Sequence, residues 1–188
     1  EAAERLVEAT YARVYGSLCR LCGDPDQAAD LTQETYRKAW QSLAGFRETS
    51  QVSTWLYAIA SHACQRMRRK RKGEPERELS LTEFVPTSEG EFALQIPMEG
   101  LSPQDALENK ELRQILDRAI AQLPRKYRMV LVLRDMEGLS AKEVGSILGL
   151  NERAIKSRLH RARLFVRKEL SGKGLATEFH PDITTGHR

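Results

Sequence analysis

Residues 139–170 read LSAKEVGSILGLNERAIKSRLHRARLFVRKEL, and this stretch decides the fold of the C-terminal part of the chain. Ser140 and Glu143 fit a capping box, in which each side chain satisfies a free backbone N–H at a helix start. The short helix should end at Gly149, which can take the left-handed conformation, and Asn151 can cap the helix that follows. This spacing predicts a helix-turn-helix.

The second helix of this unit has an apolar side and a basic side. Its apolar residues recur at helical intervals from Ile155 to Val166 and should pack inward. The outward residues are Arg153, Lys156, Ser157, His160 and Arg161. Lysine and arginine can donate to guanine O6 and N7 or to phosphates, so this side predicts DNA reading in a major groove. The alternative is a solvated basic helix, which the capped turn ahead of it makes the less favoured interpretation.

Helical signals recur along the rest of the chain, and no segment alternates apolar and polar residues between hairpin turns. Asp24 followed by Pro25 predicts a helix start, and the helix should run to about Leu43. Ser102 and Pro103 repeat the same pattern farther along the chain. The sequence therefore predicts an all-α fold of two small helical domains, the C-terminal one a helix-turn-helix.

Apolar stripes predict which side of each N-terminal helix is buried. In the first helix the buried side should include Leu6, Ala9, Val14, Leu18 and Leu21. In the second helix it should comprise Ala29, Thr32, Tyr36, Ala39, Trp40 and Leu43, while Asp30, Gln33, Glu34, Arg37 and Gln41 form an exposed face of mixed charge. We expect Trp40 and Trp55 to pack in a core rather than to stack on nucleic acid.

Charge is distributed unevenly along the 188 residues, although the formal net charge is only +4. Between Arg66 and Lys72 only Met67 is uncharged, whereas residues 74–99 contain seven glutamates and one base, Arg77. A basic helix end followed by an acidic connector with Gly and Pro indicates a linker between domains. The predicted division is 1–72, a linker over 73–101, a second domain over 102–170 and a tail over 171–188.

Several classes of function are excluded by what the sequence lacks. It has no P-loop, no H-E-x-x-H and no G-x-S-x-G, and its four histidines are scattered, so we expect no enzymatic activity, no cofactor and no metal site. Without an apolar run of about 20 residues we expect no membrane insertion and a cytoplasmic location. Cys19, Cys22 and Cys64 are too few for a disulfide scaffold, and packed thiols are favoured over metal or redox chemistry at the C-x-x-C.

Two blocks of sequence resemble the extracytoplasmic-function (ECF) sigma factors of bacterial RNA polymerase. The first comprises residues 24–40, DPDQAADLTQETYRKAW, with residues 46–72, FRETSQVSTWLYAIASHACQRMRRKRK. The second is residues 123–170, which begin LPRKYRMVLVLRDMEG and include the helix-turn-helix. The resemblance implies a transcription initiation factor that binds core RNA polymerase and confers recognition and opening of a promoter.

The resemblance also implies roles for individual residues. Asp30, Gln33, Glu34 and Arg37 would dock on the core polymerase, which contributes its β′ and β subunits. Minus-ten promoter DNA would be bound by Phe46, Ser53, His62, Arg66, Arg68, Arg69 and Lys70, and the minus-thirty-five element by Arg153, Lys156, Ser157, His160 and Arg161. Phe46 has the alternative of anchoring its loop, and His62 that of an ordinary surface histidine. An anti-sigma factor is the further partner that the resemblance implies.

One rival interpretation rests on the C-terminal unit alone. A helix-turn-helix serves equally well in a stand-alone transcriptional regulator whose N-terminal helices sense a signal or form a dimer. Such a regulator would bind duplex DNA without polymerase, and the first block of residues is what argues against it.

Overall fold

The computed structural model of the chain describes residues 2–43, 51–70, 79 and 103–171. The regular elements within these ranges are all helical: α1 (Ala2–Cys22), α2 (Pro25–Ser42), α3 (Val52–Lys70), α4 (Pro103–Gln122), α5 (Arg125–Leu131), a π-helical turn (Val132–Met136), α6 (Ala141–Leu148) and α7 (Glu152–Ser171). The all-α prediction is confirmed. None of these helices combines the length and apolar content needed to cross a bilayer.

Helices α1, α2 and α3 pack on one another. Gly23, with φ of 76°, ends α1, and the Asp24 carboxylate then accepts hydrogen bonds from the backbone N–H groups of Asp26 and Gln27 at the start of α2. The side chains buried between the three helices include Val14, Leu18, Leu21, Ala28, Leu31, Leu56, Ala60 and Ala63. The helix start predicted at Asp24 and Pro25 is thus confirmed.

The predicted burial of Trp40 is wrong, since 65% of its surface is exposed. The buried side of α2 is formed by Ala28, Leu31, Thr32, Thr35 and Ala39. Trp40 lies one residue, or about 100° around the helix, beyond Ala39 and so misses the neighbouring helices. Leu43, which is 41% exposed, and Ala9 on α1 also lie outside the core, contrary to expectation.

The helix-turn-helix has the local geometry that its sequence predicts. The Ser140 hydroxyl accepts from the Glu143 N–H at 3.2 Å, and the Glu143 carboxylate accepts from the Ser140 N–H at 2.8 Å. Gly149 has φ of 68°, and the Asn151 side chain accepts from the Ala154 N–H at 2.8 Å. The capping box, the left-handed glycine and the second cap are all confirmed.

Two further features hold the helix-turn-helix together. A Cβ on Gly145 would lie 2.6 Å from the Leu150 carbonyl oxygen, so glycine permits the close approach of the turn to α6. Helix α5 does not continue as an α-helix but changes to a π-helical turn at Val132. Asp135 of this turn accepts two hydrogen bonds of 2.8 Å from the Arg163 guanidinium, which joins the turn to α7.

The N-terminal helices and the helix-turn-helix also contact each other. Glu137, just after the π-helical turn, has a nearly buried carboxylate that accepts a hydrogen bond from Ser17 of α1 and lies 3.6 Å from the Arg13 guanidinium. The Tyr57 hydroxyl of α3 also hydrogen-bonds Glu137, and burial together with this carboxylate raises the pKa of Tyr57. Glu137 therefore joins α1 and α3 to the C-terminal helices.

Leu79, the one described residue between α3 and α4, is fully buried. Its N–H donates to the Tyr127 hydroxyl at 3.2 Å, and its carbonyl accepts from the Arg161 guanidinium at 3.1 Å. Tyr127 belongs to α5 and Arg161 to α7. The predicted linker thus has a residue fixed on the C-terminal helices.

Candidate polymerase and promoter interface

The mixed-charge face of α2 is exposed where the sequence predicts it. Asp30, Gln33 and Arg37 are exposed. Glu34 is half-buried, and its carboxylate accepts from Lys38 at 2.7 Å and from Arg66 of α3 at 3.1 Å. These cations, the Lys38 hydrogen bond foremost, lower the pKa of Glu34.

Sequence reasoning missed Trp40 as a member of this face. Gln33, Arg37 and Trp40 are spaced i, i+4, i+7, which places them along one side of α2. That spacing was a signal available in the sequence, but the apolar character of tryptophan favoured a core position. The structure instead gives the charged face a large exposed aromatic ring.

A cleft of about 340 Å³ lies between α2 and α3. It is lined by Lys38, Gln41, Ser42, Ile59, His62 and Arg66. Two residues predicted to bind minus-ten DNA, His62 and Arg66, are thus brought together, and Lys38 is an additional cation that the sequence did not single out. Ser53 is half-buried in the first turn of α3.

The remaining minus-ten predictions lie outside the described residues. Phe46 belongs to a segment that the structure does not describe. For Arg68, Arg69 and Lys70 the backbone forms the last turn of α3, and their side chains are not described. Their roles stay predictions.

The predicted minus-ten face touches the first helix of the helix-turn-helix. His62 Nε2 lies 2.9 Å from the Ile147 carbonyl oxygen, to which it donates a hydrogen bond. Near the other end of α6, the Thr54 hydroxyl donates to the Glu143 carboxylate at 3.1 Å. In this arrangement α6 therefore lies against one side of the predicted minus-ten surface.

On α7 the predicted DNA-reading residues separate into an exposed group and one residue with a protein partner. Arg153, Lys156, Ser157 and His160 are exposed and lie at i, i+3, i+4 and i+7. Arg161 is half-buried and donates to the Leu79 carbonyl. Four of the five therefore form one polar stripe on the second helix of the helix-turn-helix.

The cysteines are arranged differently from what the C-x-x-C spacing suggests. Cys22 Sγ lies 3.1 Å from Cys64 Sγ of α3. The close contact is therefore between α1 and α3 and not between Cys19 and Cys22 within α1. In the part of the chain that the structure describes, no three His, Cys, Asp or Glu residues are placed to hold a metal ion.

Known protein families match both the N-terminal and the C-terminal part of the chain. Residues 6–74 match the family described as Sigma-70 region 2, and residues 113–166 match Sigma-70, region 4. The chain is 34% identical to the ECF RNA polymerase sigma factor SigW of Bacillus subtilis over 84% of its own length and 83% of the relative's. It is 31% identical to the RNA polymerase sigma-H factor of Pseudomonas aeruginosa, over 84% of the chain and 80% of that protein.

A solved structure shares the fold. The sigma factor RpoE of Bartonella quintana, in complex with the anti-sigma factor NepR, superposes with a TM-score of 0.63 at 22% identity, covering 89% of this chain and 96% of that one. With both sigma-70 regions present in order, and relatives above 30% identity along most of their length, the chain belongs to the ECF sigma factors and is a transcription initiation factor.

Proposed function

We propose that this sigma factor binds core RNA polymerase through the exposed face of α2 and recognises promoter DNA through two further surfaces. These are the cleft between α2 and α3 for the minus-ten element and the polar stripe of α7 for the minus-thirty-five element. The observation that carries the proposal is the exposed stripe Arg153, Lys156, Ser157 and His160 on the second helix of a capped helix-turn-helix. The role is non-catalytic, needs no cofactor and belongs in the cytoplasm.

The α2 face has the composition of a protein interface. Aromatic residues and arginine are enriched in the energetically important centre of such interfaces, surrounded by polar groups. Trp40 and Arg37 lie one turn apart here, with Asp30 and Gln33 farther along the same side. This supports the docking of α2 on a polymerase subunit, for which the resemblance implies β′.

The cleft between α2 and α3 suits an unpaired strand. Its lining offers an imidazole at His62 and cations at Lys38 and Arg66, and the cations can neutralise phosphates. The apolar side chain of Ile59 supplies a surface against which a base can pack. Promoter opening requires such a site, because a base must leave the duplex stack before a protein can read its edge.

The stripe on α7 suits a duplex. A helix in the major groove presents three or four side chains to base edges, and Arg153, Lys156, Ser157 and His160 lie on one side over two turns. Arg161 can join them only after releasing the Leu79 carbonyl. Binding should therefore weaken steeply as salt concentration rises.

Regulation by an anti-sigma factor is part of the proposal. The solved relative RpoE is described in complex with the anti-sigma factor NepR, and its fold matches that of this chain. An anti-sigma partner that binds α2 or the contact between the two helical groups would keep the polymerase face covered.

In vitro transcription with core polymerase on a genomic fragment library tests the proposal. Arg37→Glu should abolish association with the core, because it reverses a charge on the α2 face. Arg153→Ala with Lys156→Ala should leave association intact, lose promoter output, and reduce the salt dependence of promoter binding by about two phosphate contacts.

The matched control is Arg118→Ala, which removes an exposed cation from α4, a helix that contributes no residue to the proposed binding surfaces. It should leave association and output unchanged. Tight, dimeric binding of duplex DNA by the chain without core polymerase would instead support the stand-alone regulator and contradict the proposal.

A further inference from the structure

Cys22 and Cys64 form a close thiol pair between two helices. Cys22 is the last residue of α1 and Cys64 lies within α3, with 3.1 Å between their sulfur atoms. Cys64 is fully buried, whereas Cys22 is partly exposed. Cys19, one turn before Cys22, is also partly exposed and is directed to Tyr15 of its own helix. The three cysteines therefore comprise one pair and one separate thiol.

We propose that Cys22 and Cys64 are a modification site, at which a hydroperoxide converts the two thiols into a reversible disulfide between α1 and α3. This role is independent of promoter recognition. The sulfur atoms need to approach by only about 1 Å to reach a bond length of about 2 Å, a movement that small rotations about the two Cα–Cβ bonds can supply.

The charges around the pair favour this chemistry. The hydrogen bond from Cys22 lowers the pKa of the Cys64 thiol to about 7, and Arg125 and Arg128 act in the same direction against the effect of burial. The same hydrogen bond and burial raise the pKa of Cys22. Near neutral pH a substantial fraction of the pairs therefore holds one proton and one negative charge between the two sulfur atoms, and the thiolate is the nucleophilic form of cysteine.

The reaction balances with hydrogen peroxide as the oxidant. The proton resting on Cys22 moves across the hydrogen bond to Cys64, which gives a minor form with the thiolate on the partly exposed Cys22. This sulfur attacks one peroxide oxygen, which breaks the O–O bond and gives a sulfenic acid and hydroxide. Hydroxide takes the proton of Cys64 and becomes water. The Cys64 thiolate then attacks the Cys22 sulfur, forms the S–S bond and expels a second hydroxide, which is protonated by solvent. Two thiols and one peroxide thus give one disulfide and two waters, and a dithiol reductant reverses the change.

The test treats the reduced full-length chain with stoichiometric hydrogen peroxide and maps disulfide-linked peptides by mass spectrometry. The expected product is an intramolecular link between the peptides containing Cys22 and Cys64, lost after reduction. Cys19→Ser is the matched control and should keep the link, whereas Cys22→Ser and Cys64→Ser should each abolish it. Because Cys22 is partly exposed, its serine variant keeps the test decisive even if the buried Cys64→Ser variant fails to fold.

A second readout measures thermal unfolding of the oxidised and reduced chain. The cross-link closes a loop that contains all of α2, so oxidation should raise the melting temperature by on the order of 5–10 °C in the wild type and in Cys19→Ser, and not in Cys22→Ser. A link between Cys19 and Cys22, a link only between separate molecules, or oxidation that stops at sulfenic or sulfinic acid would overturn the proposal.

Discussion

Trp40 exposes a large aromatic ring on a helix whose residues Ala28, Leu31 and Ala39 are buried. Such a side chain stabilises the isolated chain little, because truncating it removes few contacts and leaves no cavity. It contributes to the binding free energy when a partner covers it, since aromatic residues at interface centres contribute the largest share of that energy. In the free chain the Trp40 ring is exposed to water, and we expect a binding partner to cover it.

Trp40→Ala should therefore weaken the affinity for core polymerase by at least about tenfold while changing the free energy of unfolding by less than about 0.5 kcal/mol. Polymerase binding is measured by fluorescence anisotropy and stability by urea denaturation. Trp55→Ala is the contrasting variant, because Trp55 packs against the core, and it should cost about 3 kcal/mol of stability. A Trp40 variant with normal polymerase affinity would remove this residue from the interface.

At the level of single elements, local residues predicted local structure well. The Ser140 and Glu143 capping box, the turn at Gly149 and the Asn151 cap each depend on neighbours within four residues, so the sequence contains all the necessary information. The change to a π-helical turn at Val132 was not predictable in this way, because it is stabilised by Arg163 of a different helix.

Contacts between residues far apart in the sequence were also not predicted. Helical periodicity identifies an apolar side only approximately, and which residues at its edge are covered depends on the neighbouring helices, so Trp40 was misplaced. Leu79 contacts Tyr127, which is 48 positions away in the sequence, and Cys22 contacts Cys64, which is 42 positions away. The functional assignments of the α2 face, the cleft and α7 stay predictions, because they concern molecules that bind from outside.

The capping box has a pH dependence of its own. Hydrogen bonds from Ser140, first from its side chain and then from its backbone, lower the pKa of Glu143, with Thr54 and Arg134 acting in the same direction. A carboxyl whose pKa is depressed by folding stabilises the fold above its unfolded pKa and loses that contribution as pH falls through the folded value.

Stability of the wild type should therefore decline more than that of Glu143→Gln between about pH 5 and pH 3, because glutamine retains an acceptor oxygen but does not titrate. Urea denaturation at a series of pH values checks this difference. Glu152→Gln, which changes an exposed carboxylate in the first turn of α7, is the control and should follow the wild-type curve closely. Parallel curves for wild type and Glu143→Gln would contradict the role of the carboxylate.

For the whole molecule, the contact between the two helical groups competes with the proposed function. The His62 imidazole donates a hydrogen bond to the Ile147 carbonyl, and the Ser17 and Tyr57 hydroxyls hydrogen-bond the Glu137 carboxylate. The α7 stripe is already exposed, but under the proposed function these groups would have to separate before His62 is free to bind minus-ten DNA. The contact is therefore a cost that the binding free energy of the larger assembly has to exceed.

Glu137→Ala should shift the chain toward the separated state. The variant removes the buried acceptor that Glu137 offers to Ser17 and Tyr57, although Ser17 keeps its hydrogen bond to the Arg13 carbonyl. The lost contacts should cost about 2 kcal/mol, or about a 30-fold change in the closed-to-open ratio. Small-angle scattering should show a larger radius of gyration, and binding of a single-stranded minus-ten oligonucleotide should tighten. Asp117→Ala removes the exposed ion pair with Arg20 and should have little effect. A compact Glu137 variant would show that this carboxylate does not hold the groups together.

Leu79 sets a limit on how far the two ends of the protein can part. Only eight residues lie between it and Lys70, so a tether of nine Cα–Cα steps fixed at Leu79 reaches at most about 30 Å. Lys70 is predicted at the minus-ten element, while Arg161, which grips Leu79, is predicted at the minus-thirty-five element, roughly 85 Å away along B-form DNA. If Leu79 were released, the stretch of chain from Lys70 to Pro103 could span at most about 110 Å. If both predicted DNA contacts are made by one molecule, Leu79 has to leave its buried position on the C-terminal helices first.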